Sequence, residues 1–261
     1  MVIDSNNVAK HSFAPCTFNT FSDYIATPRW FFEVCQETAA IHSDLRHLGV
    51  PDLLKQGKTW VITREKMTIA RYPRRGDEVF VKTGVPQAKS FFAPRTVLGE
   101  DKDRKTLFVS SMMWAIVDYD TRMPVKVGDF LNTMGCVTGE TFVDESLRRE
   151  PKIDTQRLLS KQPVCVFVPR IFLFDCDINN HVNNIVYLDW LLRTLPVSYV
   201  KDHLPSMIDI MWIREVFVSD SIEVKMYEIE KDFYGFIMRR EADNANVCTA
   251  EIRFKEKEAM V

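Results

Sequence analysis

Phe174-Asp175-Cys176-Asp177-Ile178-Asn179-Asn180-His181-Val182-Asn183-Asn184 gathers acid, amide and imidazole side chains directly in front of an apolar run, residues 185–195. Asp177, Asn179 and His181 stand at i, i+2 and i+4. In an extended or looped backbone that period of two points all three side chains the same way, whereas on a helix Asn179 would face away from the others. The spacing therefore predicts a non-helical segment through about Asn179, a helix beginning near His181, and Asn179 or Asn180 as its cap. A helix N-terminus aimed at that spot adds backbone N–H groups that favour developing negative charge, so the stretch offers a base, an amide donor and an oxyanion site. An Asn-rich turn is equally an ordinary helix cap and a lone His is often structural, so the window alone leaves both readings open.

The helix expected over residues 182–195 carries Ile185, Val186, Tyr187, Leu188, Trp190, Leu191, Leu192 and Leu195. Apolar nearly all round, it must be buried on most sides, and a sheet wrapped around it would do so. The flanking sequence supplies strand patterns over residues 164–172, 207–216, 221–229, 233–241 and 247–254. The first half of the chain repeats the plan. A strand over residues 12–20 precedes Thr27-Pro28, a cap followed by proline at the first helical position. Phe31, Val34, Cys35, Thr38, Ile41, Leu45 and Leu48 then recur at helical spacing until Gly49 and Pro51 stop the run. Strands follow over residues 59–70, 78–85, 91–98 and 106–117, with turns at 71–77 and 99–105. Individual residues repeat as well. Asp77-Glu78-Val79-Phe80-Val81-Lys82 matches Asp220-Ser221-Ile222-Glu223-Val224-Lys225, and Phe91-Phe92 matches Phe233-Tyr234. An internal duplication of an α+β unit follows, with domains at 1–118 and 163–261. Residues 119–162, which include the charged run 145–152, form a linker with a few short ordered pieces. Ser22-Asp23-Tyr24-Ile25-Ala26-Thr27 stands in the first copy where the second has its acid-amide-imidazole cluster, so one such set is expected per chain.

Composition narrows the classes. Lys+Arg 34 against Asp+Glu 36 leaves a net charge of −2, which argues against a general nucleic-acid binder. No stretch approaches the length of an apolar membrane span and the first ten residues lack a signal-peptide core, so a cytoplasmic protein is expected. The six cysteines form no C-x-x-C pair, which speaks against a zinc ribbon or a disulfide framework. His181 with Asp177 or Glu215 is a weak metal set because the other four histidines lack ligand spacing, so no metal is expected. Gly57-Lys58-Thr59 has Asp52 where a phosphate-binding loop needs glycine, and no nucleotide cofactor is implied. Cys176 lies between Asp175 and Asp177, whose charge disfavours a thiolate nucleophile.

The run DINNHVNNIVYLDWLLRTLP from Asp177 resembles the signature of the acyl-acyl carrier protein thioesterases, Asp-x-Asn-x-His-Val-Asn-Asn before an apolar helix ending in proline. The likeness extends to Gly57-Lys58-Thr59-Trp60-Val61-Ile62 and to Arg71-Tyr72-Pro73-Arg74-Arg75-Gly76-Asp77. Trp212-Ile213-Arg214-Glu215-Val216 falls where the family commonly has Tyr-Arg-Arg-Glu-Cys. The family's site carboxylate thus maps onto Glu215, while Val216 replaces the cysteine and leaves no thiol nucleophile at that place. The resemblance implies a tandem (double) hotdog of bacterial type, each half an antiparallel sheet around a central helix. It implies hydrolysis of acyl-acyl carrier protein to free fatty acid, with acyl carrier protein as partner and no cofactor. The implied catalytic set is Asp177, Asn179, His181 and Glu215. His181 and Glu215 would orient and deprotonate water and Asn179 would stabilise the oxyanion; which carboxylate acts as base, and whether one attacks directly through an anhydride, is open. Trp60 and Met67 are candidates for the wall of an acyl tunnel in the first copy, where ordinary core packing is the competing role. Arg71, Arg74 and Arg75 are candidates for carrier docking. Acyl-CoA hydrolysis, a non-catalytic acyl-binding or regulatory role, and a hydratase or dehydratase on the same fold are the rival functions. Chain length and homodimerisation are left open.

Overall fold

The apolar helices expected in each half are present in a computed structural model that describes residues 1–85, 91–128, 130 and 152–257, and each helix lies in its own unit, Met1–Glu150 or Pro151–Val261. In the first unit, β1 (Val2–Ile3) and β2 (Ala9–Phe13) precede α1 (Pro28–Asp44) and α2 (Val50–Leu54). Then come β3 (Lys58–Ile69), β4 (Val79–Gly84), β5 (Phe92–Glu100), β6 (Thr106–Asp118) and β7 (Pro124–Val125). The strands are antiparallel in the order β1-β2-β4-β5-β6-β3, with β7 on β6. α1 starts at Pro28, where a missing N–H costs nothing, and buries Trp30, Phe31, Phe32, Val34 and Cys35. Phe31 makes edge contacts with Phe108 at 5.2 Å and Tyr72 at 4.9 Å, which fix the helix on the concave face of the sheet. The helical spacing that continues to Leu48 is interrupted at Asp44. His47 turns to φ 56°, Gly49 caps the separate short α2, and Leu48 stays buried on the far side of that turn. The strand expected over residues 12–20 lies earlier, at Ala9–Phe13, because Pro15 cannot donate to the ladder and a 3-10 turn, Thr17–Asn19, follows.

The second unit contains α3 (Thr155–Leu159), β8 (Cys165–Phe167), α4 (Asn184–Leu192), α5 (Val197–Asp202), β9 (His203–Trp212), β10 (Ile222–Glu230), β11 (Phe233–Arg240) and β12 (Ala245–Glu256). Its order, β9-β12-β11-β10-β8, is that of β3-β6-β5-β4-β2, also antiparallel throughout. α4 buries Ile185, Val186, Tyr187, Leu188, Trp190 and Leu191, which accounts for its lack of a polar face. α3 lays Leu158 on Gly235, where a Cβ would come within 2.3 Å of the leucine. Each unit is thus a sheet wrapped on a buried helix, the α+β hotdog arrangement twice over.

Two strand expectations are corrected here. Residues 164–172 yield only Cys165–Phe167, because Pro169 and the 3-10 turn Leu173–Asp175 end the strand. The strand expected over residues 207–216 is His203–Trp212. Its N-terminal end contains Pro205, which pairs with Phe254 beside a register shift that excuses the missing N–H. The linker is described at its ends by β7 and α3, while residues 129 and 131–151, with most of the charged run, lie outside the described residues. No helix among the described residues is long and apolar enough to cross a membrane.

Candidate active site

The turn from Asp177 to His181 is closed by backbone bonds on both sides. Asp177 N donates to His181 O at 2.8 Å and Asn180 N to Asp177 O at 3.0 Å, with Asn180 in the left-handed region at φ 60°. Asparagine tolerates that region better than most residues. Cys176 and Val182 bridge as an antiparallel pair below the turn, and Val182 N donates to Val216 O at 2.8 Å, tying the turn to the loop after β9. Asp177 Oδ1 accepts from Asn179 N at 2.8 Å, and its Oδ2 lies 3.4 Å from Asn179 Nδ2. Asp177 and Asn179 are therefore one pair.

Helix α4 begins later than the spacing predicts. Asn183 is the cap, accepting from Ile185 N at 2.9 Å through its side chain, and Asn179 and Asn180 belong to the turn. The closed turn consumes the residues that a helix starting near His181 would need. Val186 N also donates to Asn183 O at 2.9 Å, so the cap already occupies two first-turn N–H groups.

The same backbone device occurs in the first unit with different side chains. Phe21 N donates to Ile25 O at 2.9 Å, Tyr24 N to Phe21 O at 3.0 Å, Tyr24 has φ 63°, and Thr20 bridges Ala26. Ala26 N donates to Pro73 O at 2.9 Å as Val182 N does to Val216 O. The correspondence sets Phe21 against Asp177, Asp23 against Asn179, Ile25 against His181 and Tyr72 against Glu215. Only the second unit carries the acid, amide, imidazole and acid at these places.

His181 Nδ1 lies 3.3 Å from Glu215 Oε1, and both side chains are partly buried at 16% and 34% exposure. The Phe217 ring meets the imidazole edge-on at 4.8 Å and walls one side of it. The structure thus joins Asp177 to Asn179 and His181 to Glu215. Tyr187, read from sequence only as part of the apolar helix, brings a hydroxyl to the same neighbourhood. It is hydrogen-bonded with the backbone of Val216 and feels the charge of Asp177, while burial pushes its pKa far above the usual phenol range. Its place one turn after the Asn183 cap is the signal that could have found it. Cys176 has its thiol pKa raised by desolvation, then by Asp175 and Asp177, which leaves it a poor nucleophile. No group of three metal-ligating side chains occurs among the described residues.

The first unit holds a cavity of about 180 Å³ whose wall includes Gln36, Ser43, Trp60, Val85, Arg95 and Trp114. Trp60 lies in that wall, with its indole N–H donating to Leu48 O at 2.8 Å. Met67 is fully buried in the core and is not among the cavity residues. Sequence reasoning missed the polar part of this wall. Arg95 is 4% exposed and burial lowers its pKa to about 10, so it remains cationic at neutral pH. His42 beside it is pushed down to about 3 by burial, then by Arg95 and Arg46, and is neutral. Of the docking candidates, Arg71 pairs with Asp101, and Arg74 and Arg75 are exposed on the turn before β4.

The family model described as the acyl-ACP thioesterase N-terminal domain matches residues 27–133, and the acyl-ACP thioesterase C-terminal domain matches residues 162–256. Similar curated proteins include acyl-[acyl-carrier-protein] hydrolase FATB3, chloroplastic, of Cuphea viscosissima, 23% identical over 96% of this chain and 63% of its own length. The palmitoyl-acyl carrier protein thioesterase, chloroplastic, of Arabidopsis thaliana is 26% identical over 77% of this chain and 50% of its own length. The chain therefore spans about half to just under two thirds of the length of these relatives. Among solved structures, the 12:0-ACP thioesterase from Umbellularia californica has a TM-score of 0.84 at 18% identity, covering 98% of this chain and 100% of that one. An acyl-ACP thioesterase from Bacteroides thetaiotaomicron has a TM-score of 0.79 at 20% identity, with the same coverage. With both domain models matched in order and the tandem fold shared across almost the whole chain, this protein belongs to the acyl-ACP thioesterase family.

Proposed function

We propose that the protein hydrolyses the thioester of acyl-acyl carrier protein, releasing a free fatty acid and the carrier thiol. The observation that carries this reading is the His181–Glu215 pair at 3.3 Å beside the Asp177–Asn179 pair, a set missing from the duplicate turn of the first unit. Glu215 accepts from His181 Nδ1–H, which fixes the tautomer and leaves Nε2 with a lone pair for a water proton. The water oxygen attacks the thioester carbonyl as Nε2 takes its proton, and the carbonyl electrons move onto oxygen. Asn179, oriented by Asp177, has an amide N–H to offer that oxyanion. Collapse expels the thiolate, which receives the proton back from the imidazolium, so acid and thiol form with no cofactor. Glu215 orients the base, because water needs the imidazole lone pair that only a positioned ring presents. Arg74 and Arg75 are proposed to meet the acidic surface of a carrier protein in the cytoplasm.

The test is a panel of acyl carrier protein and CoA thioesters of graded chain length, with free thiol and free acid both measured. Stoichiometric release of both from the carrier thioesters, faster than from CoA thioesters, is expected. Preferential CoA turnover would replace the carrier by CoA as substrate, and tight binding of thioesters without release of either product would overturn hydrolysis.

A further inference from the structure

Phe31 and Tyr187 hold the same place in the two copies, each the fourth residue of its central helix, α1 from Pro28 and α4 from Asn184. Pro73 and Val216 correspond as the residues that tie each turn, their carbonyls accepting from Ala26 N at 2.9 Å and from Val182 N at 2.8 Å. In the first unit the Phe31 ring lies edge-on against Tyr72, the residue before Pro73, at 4.9 Å. Phe31 has no hydroxyl there and Pro73 has no N–H. In the second unit both groups are present. Tyr187 is 2% exposed and hydrogen-bonded with the backbone of Val216, itself fully buried. That bond favours the phenolate form, so the hydroxyl oxygen accepts and Val216 N–H donates. Packing alone does not require the oxygen, because Phe31 fills the same place without it, and an unbonded hydroxyl would be costly to bury. Val216 is thereby held at its nitrogen by Tyr187 and at its oxygen by Val182. Glu215 precedes it, and its side chain, 34% exposed, lies 3.3 Å from His181 Nδ1. A carboxylate that open to water has other rotamers to visit once its backbone is released.

We infer that Tyr187 is a positioning residue of the second unit, its hydroxyl oxygen holding the peptide between Glu215 and Val216 so that the Glu215 carboxylate stays on the His181 imidazole. The first unit, with phenylalanine and proline at the two places, lacks this hold as it lacks the acid and imidazole. The inference rests on the proposed hydrolase reading only for its consequence in turnover.

A double-substitution cycle on the whole chain tests it. Tyr187→Phe copies Phe31 and should lower kcat on acyl carrier protein thioesters by about twofold to tenfold, the worth of one hydrogen bond, with KM unchanged to within about twofold. In a Glu215→Gln background the same substitution should change kcat by less than about twofold, because the carboxylate it positions is already gone. A second readout needs no turnover. The midpoint of the His181 imidazole titration, followed by NMR, should fall by about half a pH unit in Tyr187→Phe and stay in place when Glu215 is already glutamine. Asp177 and Asp220, whose charges also reach Tyr187, are present in every protein of the cycle, so the difference isolates Glu215. If Tyr187→Phe does not fold, Val216→Pro copies Pro73, removes the other half of the bond and should give the same kcat loss and the same His181 shift. Equal losses in both backgrounds, a rise in KM alone, or an unmoved His181 midpoint would overturn the inference and leave the hydrolase reading standing. A protein that hydrolyses no thioester, yet shows the His181 shift only while Glu215 is present, would reject the hydrolase reading alone.

Discussion

Replacing Glu65 by Gln should flatten the alkaline side of the stability profile of the first unit. Glu65 is fully buried on β3, where burial raises its pKa from 4.5 to about 8 against the opposing hydrogen bonds of Ser110, Cys35 and Gln36. The folded chain therefore keeps the proton after the unfolded chain has released it. That contribution is fully present below about pH 4.5 and is lost as pH rises to about 8, at about 1.4 kcal/mol per pH unit. His42 works in the other direction. Its pKa falls from 6.5 to about 3, so the unfolded chain takes the proton first and stability is lost as pH falls from 6.5 to about 3. Between pH 4.5 and 6.5 the two slopes oppose each other, and between 6.5 and 8 Glu65 acts alone. Over that last interval the loss amounts to about 2 kcal/mol. Urea denaturation at pH 6.5 and pH 8, followed by tryptophan fluorescence, measures it, since Trp30, Trp60 and Trp114 all report from this unit. The unsubstituted protein should lose about 2 kcal/mol more than Glu65→Gln across the interval. Equal losses in the two proteins would refute a neutral, buried Glu65.

At the candidate active site, His181→Ala should lower kcat/KM by roughly 10²–10⁴ in a folded protein, and near-normal turnover would remove the imidazole from the mechanism. Asn179→Ala should lower kcat by roughly 10²–10³; a rise in KM alone would show that its amide acts in binding and not on the oxyanion. Asn183→Ala removes the side-chain cap on Ile185 N and should cost about 1 kcal/mol of stability in urea denaturation, with no loss meaning that the helix start is held by its neighbours. Cys176→Ser should keep turnover unchanged, and turnover of the unsubstituted protein should resist a thiol-blocking reagent; sensitivity that disappears in the variant would reinstate the thiol.

The order of elements was legible because two periods alternate cleanly along the chain, and because α4 is apolar nearly all round and so demands a wrapping sheet. Element ends were less legible, for local reasons. Three asparagines precede α4, and each is a credible cap; the backbone bond from Asp177 N to His181 O decides for Asn183, and that bond is not written in any propensity. The strand before Met207 was not legible because Pro205 enters the ladder only past a register shift at Ser206, which depends on the pairing with β12. Glu215 was found only through its likeness to a family pattern, since it is far in sequence from His181 and the two meet through the tie between Val182 and Val216. Arg95 and Trp114 were invisible for the same reason. A lone Arg and a lone Trp in strands carry no signal until strand pairing and helix packing bring them to one void.

The twin turns at Phe21–Ile25 and Asp177–His181 keep matching backbone bonds while sharing none of the side chains at the corresponding places. A loop that tolerates phenylalanine for aspartate and isoleucine for histidine owes its shape to the main chain. Crippling substitutions in the second turn should consequently yield inert but well-formed protein. Such a decoy could hold an uncleaved thioester long enough for its partner and its acyl group to be caught in place.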